Sequence, residues 1–216
     1  NPNADVLIVG EAPGKNEDLQ GMPFVGAAGQ YLSELLAIAG LTREEVFIAN
    51  VLKCRPPSNR DPRPEEIQAC TPFLREQTRT INPEFIVTLG NFATKFILKT
   101  DRGITGLHGK LYQTGKFMVF PVFHPAAAIY DRRKRADLED DFATLGEHLL
   151  QAGIVARTPQ SVVREAEAMA DAQLAANGVA VGNGPAPTEM SHGQEPSAAG
   201  APLSESQAGE QESLQF

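Results

Sequence analysis

Apolar residues fall in short unbroken runs, and each run stops on a polar or turn-forming residue. Residues 6–9 (Val-Leu-Ile-Val) stop at Gly10, residues 46–49 (Val-Phe-Ile-Ala) at Asn50, residues 85–89 (Phe-Ile-Val-Thr-Leu) at Gly90, and residues 117–123 at His124. Runs this short, without polar alternation, predict strands covered on both faces. Between them the period changes. Residues 27–39 place Leu32, Leu35, Leu36 and Ile38 at helical spacing before Gly40, a glycine stop. Pro64-Glu65-Glu66 opens a second helix, with proline and acids suited to a first turn. Residues 91–98 and 138–150 read as two more. The order β-α-β-α-β-α-β-α predicts a three-layer α/β/α sandwich around a central, mostly parallel four-stranded sheet. In such a sheet the loops at the carboxyl ends of the strands converge, so Glu11, Asn50 and His124 are expected to share one cleft.

The chemistry at that edge is specific in kind. An Asn amide presents a donor and an acceptor side by side, which suits the edge of a planar heterocycle. Phe24, between Pro23 and Gly26 in a Gly/Pro-rich loop spanning residues 10–26, reads as an exposed ring able to stack on its face. A histidine can donate to an oxygen that gains negative charge in a transition state. No Ser or Cys sits in a nucleophile turn, and there is no G-x-x-x-x-G-K-[ST] phosphate loop.

Composition splits the chain. Residues 1–156 carry 17 Lys and Arg against 19 Asp and Glu, whereas residues 157–216 carry 2 against 8 and supply −6 of the net −8. The acidic balance therefore belongs mainly to the second segment, and it does not exclude an acidic ligand such as DNA. Residues 157–216, rich in Ala, Gly, Pro, Ser, Gln and Glu, have no run able to build a core and read as a largely disordered tail. A short helix within residues 159–175 is compatible with that reading. Basic residues gather at Lys53/Arg55/Arg60/Arg63 and at Arg132-Arg133-Lys134-Arg135. No stretch reaches the roughly 20 apolar residues of a membrane helix and no signal peptide is visible, so a soluble, cytoplasmic protein is expected.

Four motifs occur together in order: Gly10-Glu11-Ala12-Pro13-Gly14 with Glu17-Asp18; Gly21-Met22-Pro23-Phe24-Val25-Gly26; Asn50-Val51-Leu52-Lys53-Cys54-Arg55-Pro56-Pro57; and Phe123-His124-Pro125-Ala126-Ala127. Over roughly residues 5–152 the chain closely resembles the uracil-DNA glycosylase superfamily, and within it the prokaryotic iron–sulfur branch called family 4. The resemblance implies flipping uracil out of DNA and hydrolysing its N-glycosidic bond to leave an abasic site, the opening step of base excision repair. It implies that Phe24 stacks on uracil, that Asn50 bonds its polar edge, and that His124 supports the charge on the departing base. Glu11 and the backbone of Ala12 to Gly14 would lie near the sugar and the attacking water, with Glu17 crowding the C5 side of the base. Arg55, Arg60 and a loop bearing Arg132, Arg133, Lys134 and Arg135 would meet the strand and its phosphates.

Two departures stand out. Ala12 occupies the place where the best-known uracil glycosylases carry an Asp. Either Glu11 or Glu17 then orients the water, or the reaction leans on electrostatic support of an oxocarbenium-like sugar and a good uracil leaving group, with Glu11 assisting; the second account is the expectation. The branch also holds a [4Fe–4S] cluster on four thiolates. Cys54 and Cys70 match two of them; the other two lie before the first strand in the branch and are absent from this sequence, so an upstream segment is expected to supply them. The alternative activities are a covalently trapping relative or a non-catalytic binding module on the same fold. The trapping relative needs a histidine in the stretch that here runs from Arg55 to Arg63, which has none. Finally, Gln211, Leu214 and Phe216 match the Q-x-x-L-x-F peptide that docks repair proteins on the replication sliding clamp. A tether of about 55 flexible residues would reach on the order of 40 Å, leaving docked clamp and active domain free to coexist.

Overall fold

The computed structural model describes residues 1–156; the tail, its short helix and the clamp-docking peptide lie outside the described residues. Five strands form one sheet: β1 (Val6–Gly10), β2 (Phe47–Asn50), β3 (Phe85–Leu89), β4 (Tyr112–Thr114) and β5 (Phe117–Val122), in the spatial order β2-β1-β3-β5-β4. Four are parallel. The fifth, β4, is an antiparallel edge strand paired with β5. Six helices complete the fold: α1 (Lys15–Gln20), α2 (Ala27–Ile38), α3 (Pro64–Ile81), α4 (Gly90–Leu98), α5 (Pro125–Tyr130) and α6 (Arg132–Gln151).

The central strands of the sheet are largely apolar because helices cover both of its faces. Val6 and Ile8 of β1 face the layer in which α2 and α6 supply Leu32, Leu35, Leu36, Leu138, Phe142 and Leu145. Leu7 and Val9 face the other way, against Leu74 of α3 and Ala93 and Ile97 of α4. This division of successive side chains between two cores is the pleat of the strand made visible in burial. From β1 the chain crosses to β2 on one side and then returns to β3 on the other. The crevice at the carboxyl ends of β1 and β3 is therefore the topological switch point, where such sheets bind ligands.

The three-layer architecture is as expected, but the sheet has five strands, not four. Strand β4 is only three residues long and joins β5 through Gly115-Lys116, with Gly115 at φ 58°, the left-handed geometry of a tight hairpin. The basic run is likewise not a loop. Asp131 caps α6 by accepting the Arg133 N–H at 2.9 Å, so Arg132 to Arg135 form the first helical turns, six residues before the apolar pattern begins at Leu138.

Candidate functional site

The pocket starts from strand register. Gly10 at the end of β1 pairs with Asn50 at the end of β2, and the ladder runs on past both strands, Val51 N–H donating to Gly10 C=O and Leu52 N–H to Glu11 C=O, each at 2.9 Å. Asn50 is 7% exposed, and its Oδ1 is buried without a hydrogen-bond partner. A buried acceptor left unpaired costs on the order of 1–3 kcal/mol, so this atom awaits a donor. Glycine is required at position 10: a Cβ there would overlap Asn50 Oδ1 and lie 2.7 Å from Phe24 Cζ.

Phe24 is not an exposed loop ring. It is 7% exposed, with its ring against Gly10 and Asn50 and stacked with His124, centroids 5.8 Å apart and planes 28° from parallel. Its backbone sits at φ 54°, a left-handed conformation that a bulky residue adopts only when its surroundings enforce it. Three contacts do so. Glu17 Oε1 accepts the N–H groups of Val25 and Gly26 at 3.0 Å each, Arg43 donates to Pro23 C=O at 3.0 Å, and Gly29 of α2 lies so close to the Phe24 carbonyl that a Cβ would collide with it. Burial pushes the Glu17 carboxyl up, but those backbone donors outweigh it and hold the group below its ordinary value. Glu17 is thus an ionised latch on the Phe24 loop, with its Oε1 committed to main chain.

His124 caps α5. Its Nδ1 accepts the Ala126 N–H at 3.1 Å, so the neutral ring carries its proton on Nε2. Burial pulls its pKa below the ordinary histidine value, against an opposing pull from the Glu17 charge. Behind it Gly90 adopts φ 86°, and a Cβ there would come 3.0 Å from His124 Cβ. Glu11 lines an adjoining cleft with His124, Gly90, Asp61, Lys95 and Lys99. Burial, and then the charge of Asp61, raise its carboxyl above the usual range.

The structure therefore brings Glu11, Phe24, Asn50 and His124 to one sheet edge, with Ala12 and Gly14 in the turn after β1. The predicted basic residues are spread out. Arg60 makes a bidentate pair with Glu66 (2.6 and 2.9 Å), and Arg55 Nε donates to Asn59 Oδ1 at 2.7 Å. Arg135 is tied to Glu139 at 2.9 Å and Glu34 at 3.6 Å and lies over the Tyr31 ring; Lys134 lies 5.6 Å from the Phe123 ring centroid. Arg132 and Arg133 are exposed beside Tyr130, itself 92% exposed. Cys54 is exposed in the loop after β2, and Cys70 on α3 is partly buried, its Sγ accepting the Lys53 N–H at 3.3 Å. Among the described residues no group of three or more ligating side chains forms a metal site.

Two contributors, Asp61 and Lys95, went unseen in the sequence because they carry no local pattern, whereas Gly90 was marked by its strand-end position.

An amide and an aromatic ring meeting over a glycine, with a neutral imidazole stacked beyond the ring, define a pocket for a planar heterocycle at the carboxyl edge of a parallel sheet. The chain belongs to the uracil DNA glycosylase superfamily, whose family model matches residues 1–147. Its relatives include several named as type-4 uracil-DNA glycosylases. It is 48% identical over 155 residues to the Type-4 uracil-DNA glycosylase of Sulfurisphaera tokodaii, covering 68% of this chain and 70% of that one. It is also 48% identical over 155 residues to the Type-4 uracil-DNA glycosylase of Archaeoglobus fulgidus (68% and 78% covered) and 46% over 158 residues to that of Saccharolobus solfataricus (69% and 73%).

Proposed function

We propose that this chain is a uracil-DNA glycosylase that takes uracil out of the base stack, hydrolyses its bond to deoxyribose and leaves an abasic site for base excision repair. The observation that carries the reading is the unpartnered, buried Asn50 Oδ1 beside the Phe24 ring. Uracil offers an N–H donor next to a carbonyl acceptor, the complement of the Asn50 amide, and its face fits the Phe24 ring. As the C1′–N1 bond breaks, its electron pair leaves with the base, and charge spreads to the base oxygens. The His124 Nε2–H is the donor available for that charge, and being neutral it costs no ion pair to form. Water then bonds to C1′ and releases a proton. With Glu17 latched to the main chain through Oε1, Glu11, which directly follows Gly10 and shares the cleft with His124, is assigned to orient that water, and electrostatic support of the departing anion supplies most of the acceleration.

Oligonucleotides with a single uracil opposite G, opposite A or unpaired, assayed for abasic sites, test the activity. Cleavage of at least one is expected; none with any would overturn it.

The same reading extends to a cluster, to the DNA backbone and to a docking partner. Cys54 and Cys70 would hold two positions of a [4Fe–4S] cluster, and the N–H···S contact from Lys53 to Cys70 is of the kind that supports a thiolate ligand. Such a cluster would supply structural pinning of the loop after β2. Iron analysis of the full-length protein tests it: absence of iron and of visible absorbance would rule it out. Arg132 and Arg133, with Arg55, are the phosphate-facing candidates, while Arg60 and Arg135 act through their ion pairs. Docking on a sliding clamp through Gln211, Leu214 and Phe216 predicts loss of clamp binding when residues 211–216 are deleted. A monomer working at the nucleoid completes the picture.

A further inference from the structure

Lys53 makes an unusual set of bonds. Its Nζ donates to the main-chain carbonyl of Asn50 at 2.8 Å and to Gln77 Oε1 of α3 at 2.6 Å, while its own N–H donates to Cys70 Sγ. The side chain is half-buried and lines a cavity of about 310 Å³ together with Asn50, Pro13, Glu17, Pro23 and Gln77. The bond to Asn50 therefore folds Lys53 back over its own turn, closing a ring three residues wide. On one side of the Asn50 peptide the β1 ladder holds the chain, through Val51 and Leu52; on the other, Lys53 ties the carbonyl to α3.

Asn50 has no side-chain bond that locks its Oδ1. The aim of its amide thus depends on how rigidly its own backbone is held, and a charge-assisted bond to the carbonyl is the strongest hold available there. We propose that Lys53, anchored by Gln77, is a positioning residue for base recognition: it fixes the Asn50 peptide so that the side-chain amide meets uracil in one register and rejects cytosine. Lys53 does not touch the base. It acts by removing freedom from the residue that does, as supporting residues around a site commonly do.

The inference rests on the glycosylase reading, and the experiment separates the two. Wild type, Lys53→Met, Lys53→Arg and Gln77→Leu are compared on matched single-uracil and single-cytosine oligonucleotides, with thermal unfolding measured in parallel. For Lys53→Met, kcat on uracil is expected to fall about 10- to 100-fold with KM for DNA little changed, and the uracil-to-cytosine selectivity to fall with it. Gln77→Leu keeps the bond to Asn50 but frees the ammonium, and should lose less, about 3- to 10-fold. Lys53→Arg retains a donor and should recover part of the selectivity. In 15N relaxation the Asn50 side-chain amide of Lys53→Met should gain mobility while the rest of β2 does not. A lowered melting temperature with selectivity and Asn50 mobility unchanged would show a merely structural lysine and overturn the proposal; so would wild-type selectivity in Gln77→Leu and Lys53→Met together. An inactive wild type would instead overturn the glycosylase reading.

Discussion

The wall proposed to read the base and the rim of basic residues proposed to meet DNA are built on opposite plans. In the wall, the side chains are aimed chiefly through the backbone: Asn50 by strand register, Phe24 by a left-handed turn, His124 by its bond to the Ala126 N–H. On the rim the cations are placed by other side chains, and Arg60 and Arg135 are held by carboxylates. A site that must tell two nearly identical bases apart needs angstrom-level placement, which a backbone supplies. A surface that only meets phosphates tolerates reach and exchange. Substitutions in the wall should therefore damage the chemical step, and those on the rim should damage affinity.

The hardest blow to the wall is His124→Asn. The amide oxygen can still cap α5, but the donor towards the departing base is lost, so kcat should drop about 10²- to 10³-fold with the fold intact. Single-turnover kinetics beside a thermal melt check both halves. Gly10→Ala comes next: the added methyl must push Asn50 or Phe24 aside, and kcat/KM should fall about 100-fold with unmodified-DNA affinity unaltered. On the rim, Arg132→Ala with Arg133→Ala should raise KM about tenfold and reduce the salt slope of DNA binding by about 2, leaving saturated kcat alone. A loss of kcat in that pair would erase the contrast between the regions.

Glu11→Gln should cost less than about tenfold in single-turnover rate, because electrostatic support rather than proton abstraction dominates; a loss as large as that of His124→Asn would make Glu11 the general base. The smallest effect concerns pH. His124 titrates below its ordinary 6.5 in the folded protein, so the unfolded chain binds more protons between the two values. Its contribution to stability is complete above about 6.5 and is lost as pH falls towards the folded value. Melting temperatures measured downwards from pH 7 should decline more steeply for the wild type than for His124→Asn.

The wall was legible in the sequence because its parts sit at strand ends, where apolar runs stop abruptly at Gly10, Asn50 and His124. The four parallel strands were legible for the same reason. Strand β4 was not, since three half-exposed residues carry no pattern, and α1 was not, since it buries no residue. The first turns of α6 escaped because their positions are polar, and only the Asp131 cap announces them. The occupation of Arg60 by Glu66 and of Arg135 by Glu139 follows from helix starts and spacing that charge counting ignores. Buried couples such as His108 with Asp141, 2.9 Å apart, join distant segments and leave no local signature; burial raises the Asp141 carboxyl to about 6, with His108 opposing.

The pairing of Gly10 with Asn50 reaches across two helices, α1 and α2, and Asn50 finds its place only when β2 docks on β1. No local fragment of this chain holds a partly formed pocket. Non-local parallel pairing is slow to assemble, so catalytic competence should appear late in refolding, together with the sheet. Enzyme activity is thereby a clock for completion of the native topology, and a chain trapped with its helices formed but β2 undocked would be compact and silent.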